Sequence, residues 1–201
     1  MNSGTKFLKI LVWTAAAFFV LAVAALLVLN KASQSRAEIP VLGQLPAFTF
    51  TAQDGQPFGR DNMMGKINVV DFIFTHCKGP CPVMASKMSN LYKLYAGSDK
   101  VQFISISVDP ENDSLSILRE YAARQGVTDN RWVFLRAPLD SVVQLSEKGF
   151  MIAADDLPAG HSTKFILVDG QGQIRGYYDG LDDASLEIMK THIRELAQHM
   201  K

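Results

Sequence analysis

The chain has 201 residues, 48% of them hydrophobic and 20% charged, with twenty basic and twenty acidic side chains and two cysteines. Residues 1–36 hold four Lys or Arg and no acid, so the remaining 165 carry sixteen bases against twenty acids. That net of −4 argues against nucleic acid as a partner and is compatible with a cationic donor or a basic protein surface. Ile10 to Leu29 form twenty consecutive uncharged residues, long enough to cross a bilayer core as a helix and longer than the apolar stretch of a cleaved signal peptide. The expected order is a cytoplasmic tail (1–9), a transmembrane signal anchor (10–29), a polar linker (30–40) and one domain (41–201). The short amino tail has Lys6 and Lys9 and no acid, and no Arg- and Ser-rich transit sequence precedes the span. Both features place the anchor in a bacterial inner membrane with the domain in the periplasm.

Within the domain, Gln44 to Phe58 alternates apolar Phe48 and Phe50 with polar neighbours and breaks at Asp54-Gly55, which predicts a hairpin. Ile67 to Phe74 is nearly continuous in apolar residues, as a strand buried on both faces requires. A helical pattern from Val83 to Tyr95 follows, then a second buried strand, Val101 to Val108. Leu115, Leu118, Tyr121 and Ala122 mark a helix ending near Gly126. Arg131 to Leu135 reads as a strand and Leu139 to Lys148 as a helix. Thr163 to Val168 and Gln173 to Tyr178 flank Asp169-Gly170-Gln171-Gly172, a hairpin signal, and a last helix spans about Asp182 to Gln198. Strands alternating with helices, then a hairpin and a closing helix, specify an α/β mixed sheet flanked by helices. This is the thioredoxin-like plan with an N-terminal β-hairpin added.

The two cysteines stand at the join of the first buried strand and its helix, in Cys77-Lys78-Gly79-Pro80-Cys81-Pro82. An i, i+4 pair wound into a first helical turn can put both sulfurs on one face. Such a pair can bind a soft metal, exchange electrons as a dithiol and disulfide, or form a static bridge. Closing three residues constrains the unfolded chain little, and a helix N-terminus lowers thiol pKa, so metal or redox chemistry is favoured over a static bridge. His161 lies just ahead of the strand Thr163 to Val168, in the loop that a thioredoxin-like fold packs against the cysteine motif. Two thiolates and an imidazole suit copper, whereas zinc would want a fourth ligand. His76 is expected to point away from its neighbour's side chain, Met84 and Met88 to fill the core, Asp109-Pro110 to form a strand-to-helix turn or a rim contact, and His192 and His199 to be solvated.

The runs Phe74-Thr75-His76-Cys77 through Cys81-Pro82, Ile104 to Asp113, and His161-Ser162-Thr163 leading into Asp169-Gly170 together resemble the Sco/SenC family. The resemblance covers about residues 40–198. It implies a membrane-anchored, thioredoxin-like copper protein that helps assemble the binuclear copper centre of cytochrome c oxidase, with Cys77, Cys81 and His161 as ligands of Cu(I) or Cu(II). The implied partners are the copper-accepting subunit of the oxidase and other copper chaperones or thiol reductases. Members act mainly as copper metallochaperones or as thiol–disulfide oxidoreductases. In the latter role Cys77 would attack and Cys81 resolve. Gly160 stands where many members have an acidic residue before the histidine, so support for the imidazole is expected from Asp155 or Asp156.

Overall fold

The computed structural model describes residues 3–34, 39–77, 79–155 and 157–200. It divides into two compact units, Met1–Ile39 and Pro40–Lys201. The first unit contains helix α1, Ser3–Gln34, whose residues 11–27 are all exposed. Among the described residues no helix is long and apolar enough to cross a membrane; several side chains at both ends of the expected span lie outside the description. The helix also runs past the expected start of the linker. Residues 30–34 carry no Gly or Pro to stop it, and residues 35–38 lie outside the described part.

The second unit is built on one eight-stranded sheet in the order β1-β8-β7-β4-β5-β6-β2-β3. Its strands are β1 (Gly43–Gln44), β2 (Thr49–Ala52), β3 (Pro57–Gly59), β4 (Ile67–Ile73), β5 (Val101–Ser107), β6 (Trp132–Arg136), β7 (Lys164–Val168) and β8 (Gln173–Asp179). Helix α2 (Arg60–Met63) is a single turn; α3 (Cys81–Leu94), α4 (Leu115–Arg124), α5 (Leu139–Gln144) and α6 (Asp183–His199) are the longer helices. The thioredoxin-like plan is present, with β2 and β3 as the added hairpin, paired antiparallel to the edge of β6. Strand β1, helix α2 and a π-helical turn at Leu145–Gly149, where α5 was expected to continue, are additions that the residue pattern did not announce.

Parallel strands β4, β5 and β6 march across the sheet through α3 and α4, so right-handed crossovers put both helices on one face. Ring contacts agree: Tyr92 of α3 meets Phe103 and Trp132, and Tyr121 of α4 meets Phe134. Helix α6 lies beside α3, with Lys87 on Asp183 and the Tyr95 hydroxyl on the Lys190 carbonyl. The opposite face carries the main apolar cluster, in which Val70, Phe72, Ile104, Ile106, Leu135 and Ile166 meet Val142, Leu145 and Phe150. With both faces covered, every residue of β4 and β5 is buried, which is why those two strands read as largely apolar runs.

Candidate metal centre

The carboxyl end of β4 is where the chemistry gathers. Strand β7 runs antiparallel to β4, with Asn68, Val69 and Val70 opposite Val168, Leu167 and Ile166. The start of β7 is thereby brought beside the cysteine loop, and His161 packs edge-on against Phe74 with ring centroids 5.4 Å apart. The loop carrying it is pinned at both ends. Ile152 and Ser146 exchange hydrogen bonds at one end, and the His161 N–H donates to the carbonyl of Pro158, which follows a cis peptide bond, at the other.

Cys77, Cys81 and His161 converge, with their ligand atoms within 4.8 Å of one another, and both cysteines are free. The helix begins only at Cys81, so the two sulfurs do not share a helical turn as their spacing suggested. Cys77 sits in the loop, half-buried, its sulfur accepting from the Gly79 N–H at 3.4 Å, while Lys78 lies outside the described residues. Cys81 is 2% exposed and its sulfur lies 3.0 Å from His161 Nε2. His161 Nδ1 faces the Ser162 carbonyl at 3.1 Å. A carbonyl can only accept, so Nδ1 carries the proton and the Nε2 lone pair points at Cys81. That carbonyl fills the orienting role expected of Asp155 or Asp156. Asp155 is exposed and Asp156 lies outside the described residues.

Electrostatics separate the two thiols. Burial, reinforced by the adjoining Cys77 sulfur, pushes the Cys81 thiol up to about 12 despite its place at a helix N-terminus. The expected lowering by the helix is outweighed because desolvation penalises the thiolate more than the dipole favours it. Burial likewise holds the His161 imidazole below its ordinary value, outweighing the carbonyls of Ser162 and Phe72. The resting site is thus a neutral imidazole accepting from a protonated thiol.

Two buried carboxyls lie under this corner of the sheet. Asp71, 1% exposed, pairs with Ser105 in register, and Trp132 Nε1–H donates to that serine at 3.0 Å. Burial raises Asp71 to about 7, against the opposing hydrogen bond from Ser105. Asp113, fully buried, accepts from Ser107 and from both the N–H and the hydroxyl of Thr75. The residue pattern did not single out either acid, although a charged residue inside an apolar strand was a readable signal for Asp71.

The remaining candidates fall away from the sulfurs. His76 is exposed and its Nδ1 lies 3.2 Å from the neighbouring Thr75 hydroxyl. Met84 and Met88 are fully buried in the core. Asp109-Pro110 forms a turn in which the Pro110 carbonyl accepts from Arg136 and the Asp109 carbonyl from the Asp113 N–H. His192, expected to be solvated, is half-buried against β8, its Nδ1 2.5 Å from the Tyr178 hydroxyl; His199 is exposed.

Fold and site together define a thioredoxin-like protein with two thiols and an imidazole, a group that could hold a metal ion, at the end of its central strand. The SCO1/SenC family model matches residues 42–198, and the chain belongs to that family. It is 33% identical over 161 residues to the SCO1 protein homolog of Bacillus subtilis, covering 77% of this chain and 83% of the relative. A SCO1/SenC family lipoprotein from Bacillus anthracis superposes with TM-score 0.72 at 32% identity, over 79% of this chain and 97% of that one. BsSco superposes with TM-score 0.72 at 28% identity over 82% and 99%; it is described as carrying a disulfide switch and as a member of the Sco family of cytochrome c oxidase assembly proteins.

Proposed function

We propose that this chain is a copper metallochaperone for cytochrome c oxidase assembly, with Cys77 and Cys81 as thiolates and His161 as neutral imidazole holding one copper ion as cargo. The observation that carries this reading is the convergence of the three ligand atoms within 4.8 Å. Their chemistry fits: two soft sulfurs and a borderline nitrogen suit copper, and three ligands leave room for an incoming fourth. Binding requires both thiols to surrender their protons to solvent, so a Cys77–Cys81 disulfide switches it off. The half-buried Cys77 is the ligand an acceptor reaches first, whereas Cys81 and His161 hold the ion from the buried side.

The cargo goes to the copper-accepting subunit of the oxidase, an assignment that rests on family membership. Residues 10–29 act as a single membrane anchor, supported by their unbroken apolar run, with residues 41–201 outside the cytoplasm. Anaerobic titration of the reduced chain with Cu(I) tests the reading. One tightly held ion, weakened in His161→Ala, is expected; absence of tight binding contradicts it.

A second reading, thiol–disulfide oxidoreductase, is favoured by the unequal burial of the cysteines. Attack by Cys77 on an acceptor disulfide and resolution by Cys81 would pass two electrons and two protons to the acceptor, leaving Cys77–Cys81 oxidised. Turnover of a disulfide substrate that survives His161→Ala but not Cys77→Ser would select it.

A further inference from the structure

Cys81 is held by a helix and the His161 ring by Ser162 and Phe74, but Cys77 belongs to no regular element. Its N–H donates to the Phe74 carbonyl and its sulfur accepts from the Gly79 N–H, both local and long at 3.4 Å. Two residues upstream the loop is gripped firmly. The Thr75 hydroxyl donates to Asp113 Oδ1 at 2.5 Å, and the Thr75 N–H reaches both carboxylate oxygens at 3.2 and 3.3 Å. The second oxygen also accepts from Ser107 Oγ at 2.6 Å.

We infer that Asp113 is the positioning residue for Cys77, setting through Thr75 how closely that sulfur approaches the Cys81–His161 pair. The inference rests on the copper reading for its consequence and not for its geometry. The hydroxyl bonds are in the short range of charge-assisted hydrogen bonds, which are about twice as strong as neutral ones. A fully buried carboxylate is tolerated only with its oxygens satisfied, and here both are. Asp113 is itself fixed by the β5–α4 turn, where its N–H donates to the Asp109 carbonyl at 2.8 Å and the next residue, Ser114, caps α4. A turn thirty-eight residues downstream therefore holds the cysteine loop at Thr75.

The test uses the full chain, reduced and metal-free, with Thr75→Val, Asp113→Asn, their combination and Thr75→Ser. Peptide-resolved iodoacetamide kinetics report Cys77, and chelator competition reports Cu(I). Losing a charged hydrogen bond should raise Cys77 alkylation about tenfold and lower Cu(I) affinity about tenfold. Thr75→Ser, which keeps the hydroxyl, should match the parent, and the double variant should show less than the sum of the single effects. Unchanged Cys77 alkylation and copper affinity, with only a lower melting point, would overturn the inference, as would strictly additive effects. If Asp113→Asn fails to fold, Thr75→Val carries the test alone. If the parent binds no copper, the copper reading fails and the alkylation kinetics still decide the positioning role.

Discussion

Cys81 opens a helix with its thiol buried against an imidazole, whereas Cys77, four residues earlier, sits half-buried in a loop positioned from a distant turn. Identical side chains thus receive opposite treatment, because one begins the helix and turns into the core while the other lies in the loop beyond the end of the strand. The lesson is that a candidate ligand set need not be symmetric. One half can be built into the core to retain an ion while the other is left reachable for exchange.

The largest effect that would sharpen this contrast is removal of a sulfur. Cys81→Ser and Cys77→Ser should both abolish tight Cu(I) binding in chelator competition, but only Cys81→Ser removes a partner of His161 and should also shift the imidazole NMR signals of the metal-free chain. Next is thiol reactivity. With Cys81 at about 12, roughly one molecule in ten thousand carries its thiolate at pH 8, and alkylation of that residue should rise about tenfold per pH unit until pH 12 is approached. Fast modification of Cys81 at neutral pH would break the comparison.

A third prediction concerns Asp71 beneath the same helix. Its folded pKa, about 7, lies above the unfolded value of 3.8, so the native state holds the proton more tightly. Stability from this group is complete below about pH 4 and falls as pH rises to about 7, a loss on the order of 4 kcal/mol. Denaturant melts across that range should show the decline in the parent and a flatter profile in Asp71→Asn. The smallest effect serves as a control away from the sulfurs. Tyr178→Phe, which deletes the bond to His192, should cost about 1 kcal/mol in a denaturant melt and leave copper affinity unchanged.

Much of this was legible in the residue order. Nearly continuous apolar runs located β4 and β5, and the Asp169 to Gly172 turn located the β7–β8 hairpin, because periodicity and turn chemistry are local signals. The convergence of Cys77, Cys81 and His161 was legible only through topology: His161 is eighty residues from Cys81, and its approach follows from β7 running antiparallel beside β4. What could not be read was environment. Helix position alone suggested an acidified thiol, but the depth of burial that reverses this depends on tertiary packing. The Asp113 to Thr75 link and the His192 to Tyr178 pair were hidden for the same reason, each joining residues with no local pattern between them.

X-ray absorption of the copper-loaded full chain tests the central claim most directly. Two sulfur donors and one imidazole nitrogen are expected, with the nitrogen signature lost in His161→Ala. A copper environment unchanged by His161→Ala, or one lacking either sulfur in the parent chain, would contradict it.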